Sequence, residues 1–374
     1  MSEWIARLSL SVVSTLVGFA LAEASVRLAV TDFYECDSEL GWRFSPGQQG
    51  LRFSRDLEFP HRVKINSFGY RDLERDDSRE ADDLRILLLG DSFVAGMQVH
   101  LEATMGQVLE RSLSDSLGVP VEVLNAGTDG YGTGQQILQY SRDLKRFKAD
   151  IVILGFYPIN DLRDNLLELD SQYHGLAARC GRPYFGNDLK ITVIPTAAQR
   201  ASGDMTVDKI DRWLRDWSYL YQLLRPVPVG KGNGDLSVRQ LLKPRMSEPV
   251  REAWRQTEQL IVRLRDTVES DGAIFILLFI PDKWTVNAAL GRLMFPEVDA
   301  PQPIVAEQVV SLAQRNSIPL INLVPPFVDR TAEGQHKLYF DRDMHWQGEG
   351  HALAAAEVAA WLIKHEVLDS AGLQ

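Results

Sequence analysis

The sequence predicts a three-layer α/β/α domain around a five-stranded parallel sheet. Three observations carry that expectation. Five short apolar runs recur along the chain, with helix-like stretches between them. The runs are continuous rather than alternating, as in strands covered on both faces. Turn residues close them: the first ends at Gly90 and the second runs into Asn125.

The strands are predicted at Arg85–Leu89, Val121–Leu124, Ile151–Phe156, Ala273–Ile280 and Pro319–Leu323. Residues 102–117 place Met105, Val108, Leu109, Leu113 and Leu117 at helical spacing. Residues 134–147 place Ile137, Leu138, Leu144 and Phe147 less regularly. The helix over 248–269 takes Ser247 as N-cap and Pro249 in its first turn, and stops at Gly272. Residues 303–316 and 350–365 complete the alternation. Strand–helix alternation implies parallel strands with crossover helices on both faces.

Composition bounds the function. The chain has 374 residues, 45% hydrophobic and 24% charged, which is enough apolar material for a large core. It excludes a disordered chain or a multi-span membrane protein. The net charge of -11 argues against a general nucleic-acid binder, which needs a basic footprint. Cys36 and Cys180 are too few for a disulfide framework or a four-thiolate zinc site. They are compatible with one bridge in an oxidising compartment or with two packed thiols.

Residues 1–31 read as an address. From Leu8 to Val30 the chain is almost wholly apolar, apart from small hydroxyl residues and the Glu23 and Arg27 pair, spaced four apart. That is about 23 residues, enough to span a bilayer as a helix. The run reads as a transmembrane anchor, with a buried soluble helix as the plainer reading, and Arg7 before it favours a cytoplasmic N-terminus. Ala20-Leu21-Ala22 offers the rival reading, a signal peptide cleaved near Ala22. Either way the body is expected outside the cytoplasm, periplasmic or extracellular.

Residues 32–83 read as a polar connector, with a turn at Ile65–Asp72 and an acidic run at Asp72–Asp83. Residues 163–246 interrupt the alternation as a long insertion between the third and fourth strands. Its Trp213, Trp217, Tyr219 and Tyr221 read as local core rather than a ligand platform. The sequence shows no internal repeat.

The chemistry collects at the carboxyl ends of the strands, where open parallel sheets bind ligands. The first end gives Gly90-Asp91-Ser92, which exposes a hydroxyl where a buried strand turns into a helix. The second gives Asn125-Ala126-Gly127-Thr128-Asp129-Gly130, whose glycines let a backbone N–H approach a ligand. The third gives Tyr157-Pro158-Ile159-Asn160-Asp161, with an amide able to donate to an oxyanion. A serine nucleophile needs a base and an orienting carboxylate. Asp343-Met344-His345-Trp346, before the last helix, supplies both two residues apart. Asp91 reads as structural, holding the nucleophile turn. Asp341 is a secondary candidate for orienter. His351 reads as a fixed hydrogen-bonding group, and Asp161 and Asp164 as solvated loop carboxylates.

These four blocks, in this order, resemble the SGNH (GDSL-like) hydrolase family over roughly residues 84–366. The resemblance implies a flavodoxin-like three-layer sandwich. It also implies Ser92 as nucleophile, His345 as general base and then acid, and Asp343 as its orienter. The Ser92 N–H, the Gly130 N–H and the Asn160 side chain would form the oxyanion hole, with Gly130 preferred over Gly127. Much of the family places its aspartate three before the histidine, where this chain has Arg342. The Asp-x-His-Trp form resembles a branch with membrane-anchored and periplasmic members, some acting on polysaccharide acetyl groups. The asparagine block departs too, with Tyr157-Pro158-Ile159 replacing a shorter glycine-containing turn.

The expected activity is that of a serine esterase acting on O-acyl esters, including O-acetyl, of a carbohydrate or small molecule. The alternative is an O-acyltransferase modifying a cell-surface polysaccharide. A non-catalytic carbohydrate-binding module is disfavoured, because every site element is present. No cofactor and no metal are expected, and the membrane is met only through the N-terminal helix.

Overall fold

The computed structural model describes residues 2–29, 31–52, 58–78, 84–167, 169, 176–186, 188, 190–193, 218, 220–221, 246–295, 302–334 and 337–370. Helix α1 (Ser2–Ala29) comes first. Within it Trp4–Val26 is long and apolar enough to cross a membrane, and none of it is buried in the protein. Near the C-terminal end of α1, Glu23 reaches the inserted segment. Its carboxylate accepts from Ser218 Oγ at 2.8 Å and Leu220 N at 2.9 Å. The Arg27 side chain lies outside the described residues.

The segment read as a connector is built from two antiparallel pairs. Strand β1 (Tyr34–Asp37) pairs with β2 (Gly41–Phe44), and β3 (Gln49–Arg52) with β4 (His61–Lys64). Few residues here are apolar, but several of them are placed inward. Phe33, Phe44, Val63 and Ile65 are buried together with Ala95 and Met97. The turn predicted after Ile65 is closed by Asn66, whose Oδ1 accepts from Phe68 N and Tyr70 N.

The main sheet contains β5 (Leu84–Leu89), β6 (Val121–Asn125), β7 (Ile151–Phe156), β10 (Ile274–Phe279) and β11 (Leu320–Asn322). A short pair, β8 (Tyr184–Phe185) and β9 (Ile191–Val193), falls between them in the chain. All pairings in the main sheet are parallel, in the order β6-β5-β7-β10-β11. That is the flavodoxin-like order, with its topological switch between β5 and β7. Every residue of β5 and β7 is buried, which explains their unbroken apolar runs. Burying one such Leu or Ile contributes roughly 1.5–3 kcal/mol.

Two helix layers cover the sheet. Helix α2 (Ser92–Ala95) is a single turn, α3 (Met105–Leu117) packs on β6, and α4 (Thr133–Gln139) follows the glycine loop. The less regular spacing predicted for 134–147 has a structural counterpart. After α4 the chain winds into a π turn over Tyr140–Leu144 and a tight turn over Lys145–Phe147. Helix α5 (Pro158–Asn165) leaves β7 directly, and α6 (Leu176–Cys180) lies in the inserted segment. The longest helix of the domain, α7 (Glu248–Ser270), packs on α4, α5 and β10. Ser247 has extended backbone there but makes no side-chain cap. Then come α8 (Lys283–Val286), α9 (Ala288–Met294), α10 (Gln302–Arg315), α11 (Val324–Ala332), α12 (Gly348–Lys364) and α13 (Val367–Ser370). Helix α12 packs on α3.

Of the insertion's aromatics, Trp213, Trp217 and Tyr219 lie outside the described residues. Cys36 of β1 and Cys180 of α6 form a disulfide with Cα atoms 5.1 Å apart, so the bridge reading is the one realised.

Candidate active site

The turn after β5 follows from packing. A Cβ on Gly90 would lie 2.3 Å from Val94 Cγ2, so only glycine lets the chain fold back this tightly. Asp91 then caps α2: its Oδ1 accepts from Phe93 N at 2.9 Å. The fully buried Asp91 also reaches across the switch point, where its Oδ2 accepts from Asn160 Nδ2 at 2.9 Å. Burial pushes the Asp91 carboxyl up to about 6, against the lowering effect of the N–H donors of Phe93 and Asn160. Ser92 is the first helical residue, and its N–H has no acceptor among the described residues.

Ser92 Oγ lies 2.6 Å from His345 Nε2, and His345 Nδ1 lies 2.5 Å from Asp343 Oδ1. The same Asp343 oxygen accepts from His345 N at 2.8 Å, so two residues of one loop define the pair. Burial opposes the His345 imidazolium. The hydrogen bond and charge of Asp343, with the charges of Asp129 and Asp91, outweigh it and raise His345 above the ordinary imidazole value. Burial by itself would raise Asp343, but its bonds to His345 and the charge of Arg52 hold it below the usual carboxylate value. Phe93 packs its ring 5.0 Å from His345 and 5.1 Å from Trp346, which is fully buried.

The loop carrying this pair is closed at its base. Tyr339 and Trp346 form an antiparallel bridge, and Phe340 N donates to His345 O at 3.1 Å. Its tip is held from elsewhere in the chain. Glu58 accepts backbone N–H groups of Asp341, Arg342 and Asp343 at 2.9, 3.1 and 2.9 Å. Lys283 donates to the carbonyls of Phe340 and Asp341.

The glycine loop after β6 separates its two candidates. Gly127 N donates to Asn125 Oδ1 at 3.1 Å, and a Cβ there would lie 2.3 Å from Ala95 N. Gly127 is therefore a packing residue against α2. Gly130 has a positive φ of 75°, and its N–H has no acceptor among the described residues. Its peptide neighbours are fixed: Trp42 Nε1 donates to Asp129 O at 2.9 Å, and Arg182 donates to Gly130 O at 2.9 Å. Tyr34 Oη donates to Asp129 Oδ2 at 2.5 Å, and Arg52 donates to the same oxygen at 3.4 Å.

One expectation is overturned. Asp161 and Asp164 are not solvated loop carboxylates, since both are buried. Asp161 accepts from Thr133 Oγ1 at 2.8 Å and Tyr157 N at 3.0 Å, and Asp164 pairs with Arg163 and Arg182. The reason is that α5 begins directly after β7, so the two side chains sit one turn apart on a helix face turned inward. Asp341 is exposed and pairs with Lys337, away from the imidazole. His351 is buried and its Nδ1 accepts from Met105 N at 3.2 Å, the fixed contact expected of it. Among the described residues no cluster of His, Cys, Asp and Glu is arranged to hold a metal.

Sequence reasoning missed Tyr34, Trp42, Arg52, Glu58 and Lys283. The alternation in Gly41-Trp42-Arg43-Phe44 was a usable strand signal. Glu58 and Lys283 carry no local signal, because their partners are far away in sequence.

The fold and site together define a flavodoxin-like α/β protein with a Ser–His–Asp chain at the carboxyl ends of its strands. Comparison with known proteins adds a family resemblance. Residues 243–374 match the model of the SGNH hydrolase-like domain of the acetyltransferase AlgX. No curated protein is a match. Among solved structures, an acetyl xylan esterase is 13% identical, covering 74% of this chain and 98% of its own, with a TM-score of 0.40. A lipase/acylhydrolase from Enterococcus faecalis is 14% identical, over 75% of this chain and 96% of its own, at 0.38. A GDSL-like lipase from Bacteroides thetaiotaomicron is 13% identical, over 79% and 93%, at 0.37.

Proposed function

We propose that this protein is a serine-dependent enzyme acting on O-acyl esters. Ser92 is the nucleophile, His345 the general base and acid, and Asp343 the orienter. The observation that carries this reading is the continuous chain of contacts from Ser92 Oγ through both nitrogens of His345 to Asp343. Ser92 Oγ attacks the ester carbonyl as His345 Nε2 takes its proton. The Ser92 N–H, the Gly130 N–H and the second amide hydrogen of Asn160 stabilise the oxyanion. Each such donor is worth ~3 kcal/mol of barrier. His345 returns the proton to the departing alcohol, leaving an acyl-serine. Water resolves it in an esterase, and a second hydroxyl in a transferase.

The transferase alternative draws support from the acetyltransferase domain that residues 243–374 match. The substrate class proposed is an acylated carbohydrate or small ester. Residues 1–31 act as an anchor or signal segment, and 84–366 are the catalytic domain, with 163–246 inserted. An apolar N-terminal helix long enough to cross a membrane and a Cys36–Cys180 disulfide both suit a body outside the cytoplasm.

The test is turnover of p-nitrophenyl acetate by the full chain in detergent, compared with Ser92→Ala. Loss of turnover in the variant is expected, and equal rates would refute the serine mechanism. Adding an unacetylated polysaccharide then separates the two outcomes. A transferase deposits acetyl on the polymer, whereas an esterase releases only acetate.

A further inference from the structure

We propose that Glu58 is a positioning residue for catalysis, holding the Asp343–His345 loop in its working conformation from outside the catalytic domain. This rests on the serine-hydrolase reading above. The loop between Tyr339 and Trp346 has its base fixed by strand-like pairing, but that pairing stops before the tip. At the tip three successive peptide N–H groups, of Asp341, Arg342 and Asp343, converge on the one carboxylate of Glu58. A carboxylate suits such a nest because charge-assisted N–H bonds are roughly twice as strong as neutral ones.

The opposite edge of the same peptides is held too. Lys283 takes the carbonyls of Phe340 and Asp341, so N–H and C=O groups of one short segment are fixed by opposite charges. Glu58 is itself seated by its neighbour. Phe59 packs its ring 5.1 Å from Phe340, in a buried cluster with Val99.

The consequence reaches the reacting atoms through Asp343. Its N–H is bound to Glu58, while its Oδ1 faces both His345 N and His345 Nδ1. Fixing the Asp343 peptide therefore fixes the direction in which its carboxylate presents to the imidazole. A misplacement of about 1 Å at such a site costs on the order of 10²-fold in rate.

The experiment measures p-nitrophenyl acetate kinetics and thermal unfolding on the full chain in detergent, for wild type, Glu58→Gln and Glu58→Ala. Glu58→Ala is expected to lower kcat by about 10- to 100-fold with KM within about twofold. Its acid limb in kcat/KM should move down, as the Asp343 bond that raises His345 loosens. Glu58→Gln keeps one acceptor oxygen and should fall between the two. A kcat within twofold of wild type in a folded Glu58→Ala would overturn the proposal. If that variant unfolds at the assay temperature, Glu58→Gln decides: a folded Gln variant with wild-type kcat and an unmoved acid limb overturns it, and a reduced kcat supports it. Wild-type turnover that does not depend on Ser92 would instead sink the underlying serine reading.

Discussion

Ser92 stands at the end of a strand whose six residues are all buried, and the residue before it caps the helix that follows. Asp343 and His345 stand on a loop whose tip is bound by Glu58 and Lys283. Both regions serve one constellation, yet they are held differently. Ser92, the proposed nucleophile, is positioned by the regular core, through local geometry: strand, glycine, cap, helix. The loop of His345, the proposed base, is positioned by irregular contacts from a segment some 285 positions away in sequence. The contrast teaches that residues 32–83 are part of the site's scaffold. Their buried side chains pack on the nucleophile helix, on the glycine loop through Trp42 and Tyr131, and on the acid–base loop through Phe59 and Phe340.

Substitutions sharpen the contrast. The largest effect after loss of the nucleophile is expected for Asp343→Asn, which spoils the tautomer and orientation of His345. A fall in kcat of about 10⁴ is expected in steady-state ester hydrolysis. A loss under tenfold would mean that another group orients the imidazole. Next is Asn160→Ala, for which kcat should drop about 10²- to 10³-fold with KM little changed. This variant also releases Asp91, so the same assay reports how far the rigid side of the site depends on its bond across the switch point.

A smaller effect tests electrostatics. Asp129 carries one of the charges that raise His345. The proposed mechanism needs neutral His345, so activity should climb as pH rises through the His345 pKa. Asp129→Asn removes a raising charge, so its acid limb in kcat/KM should move to lower pH. An upward shift in the pH–rate profile would show that Asp129 does not act through His345. The smallest effect on turnover is expected for the Cys36→Ser/Cys180→Ser pair. A disulfide closing a long loop contributes about 2–4 kcal/mol, so differential scanning fluorimetry should show Tm lower by roughly 5–10 °C. An unchanged Tm would detach the β1–β2 hairpin from the folded body's stability.

Much of the fold was legible because its signal is periodic and local. Unbroken apolar runs marked all five strands of the main sheet, with ends within about two residues of those observed. The Gly90-Asp91-Ser92 turn was readable because glycine, cap and first helical residue are consecutive. The connector was misjudged on composition. Phe33, Trp42 and Phe44 are few among polar neighbours, but each is buried. Asp161 and Asp164 were read as solvated because a carboxylate after a strand usually belongs to a loop, whereas here the helix starts at once. Glu58 was invisible, since one Glu in a polar stretch carries no period and its meaning lies in three distant peptides.

Everything proposed for the site depends on Ser92 being an activated nucleophile. Intact-mass analysis after treatment with a phosphonate ester inhibitor tests it most directly. One stoichiometric adduct is expected on the wild type, mapped to Ser92 by peptide fragmentation, and none on Ser92→Ala. An unmodified wild type, or an adduct that persists in Ser92→Ala, would contradict it.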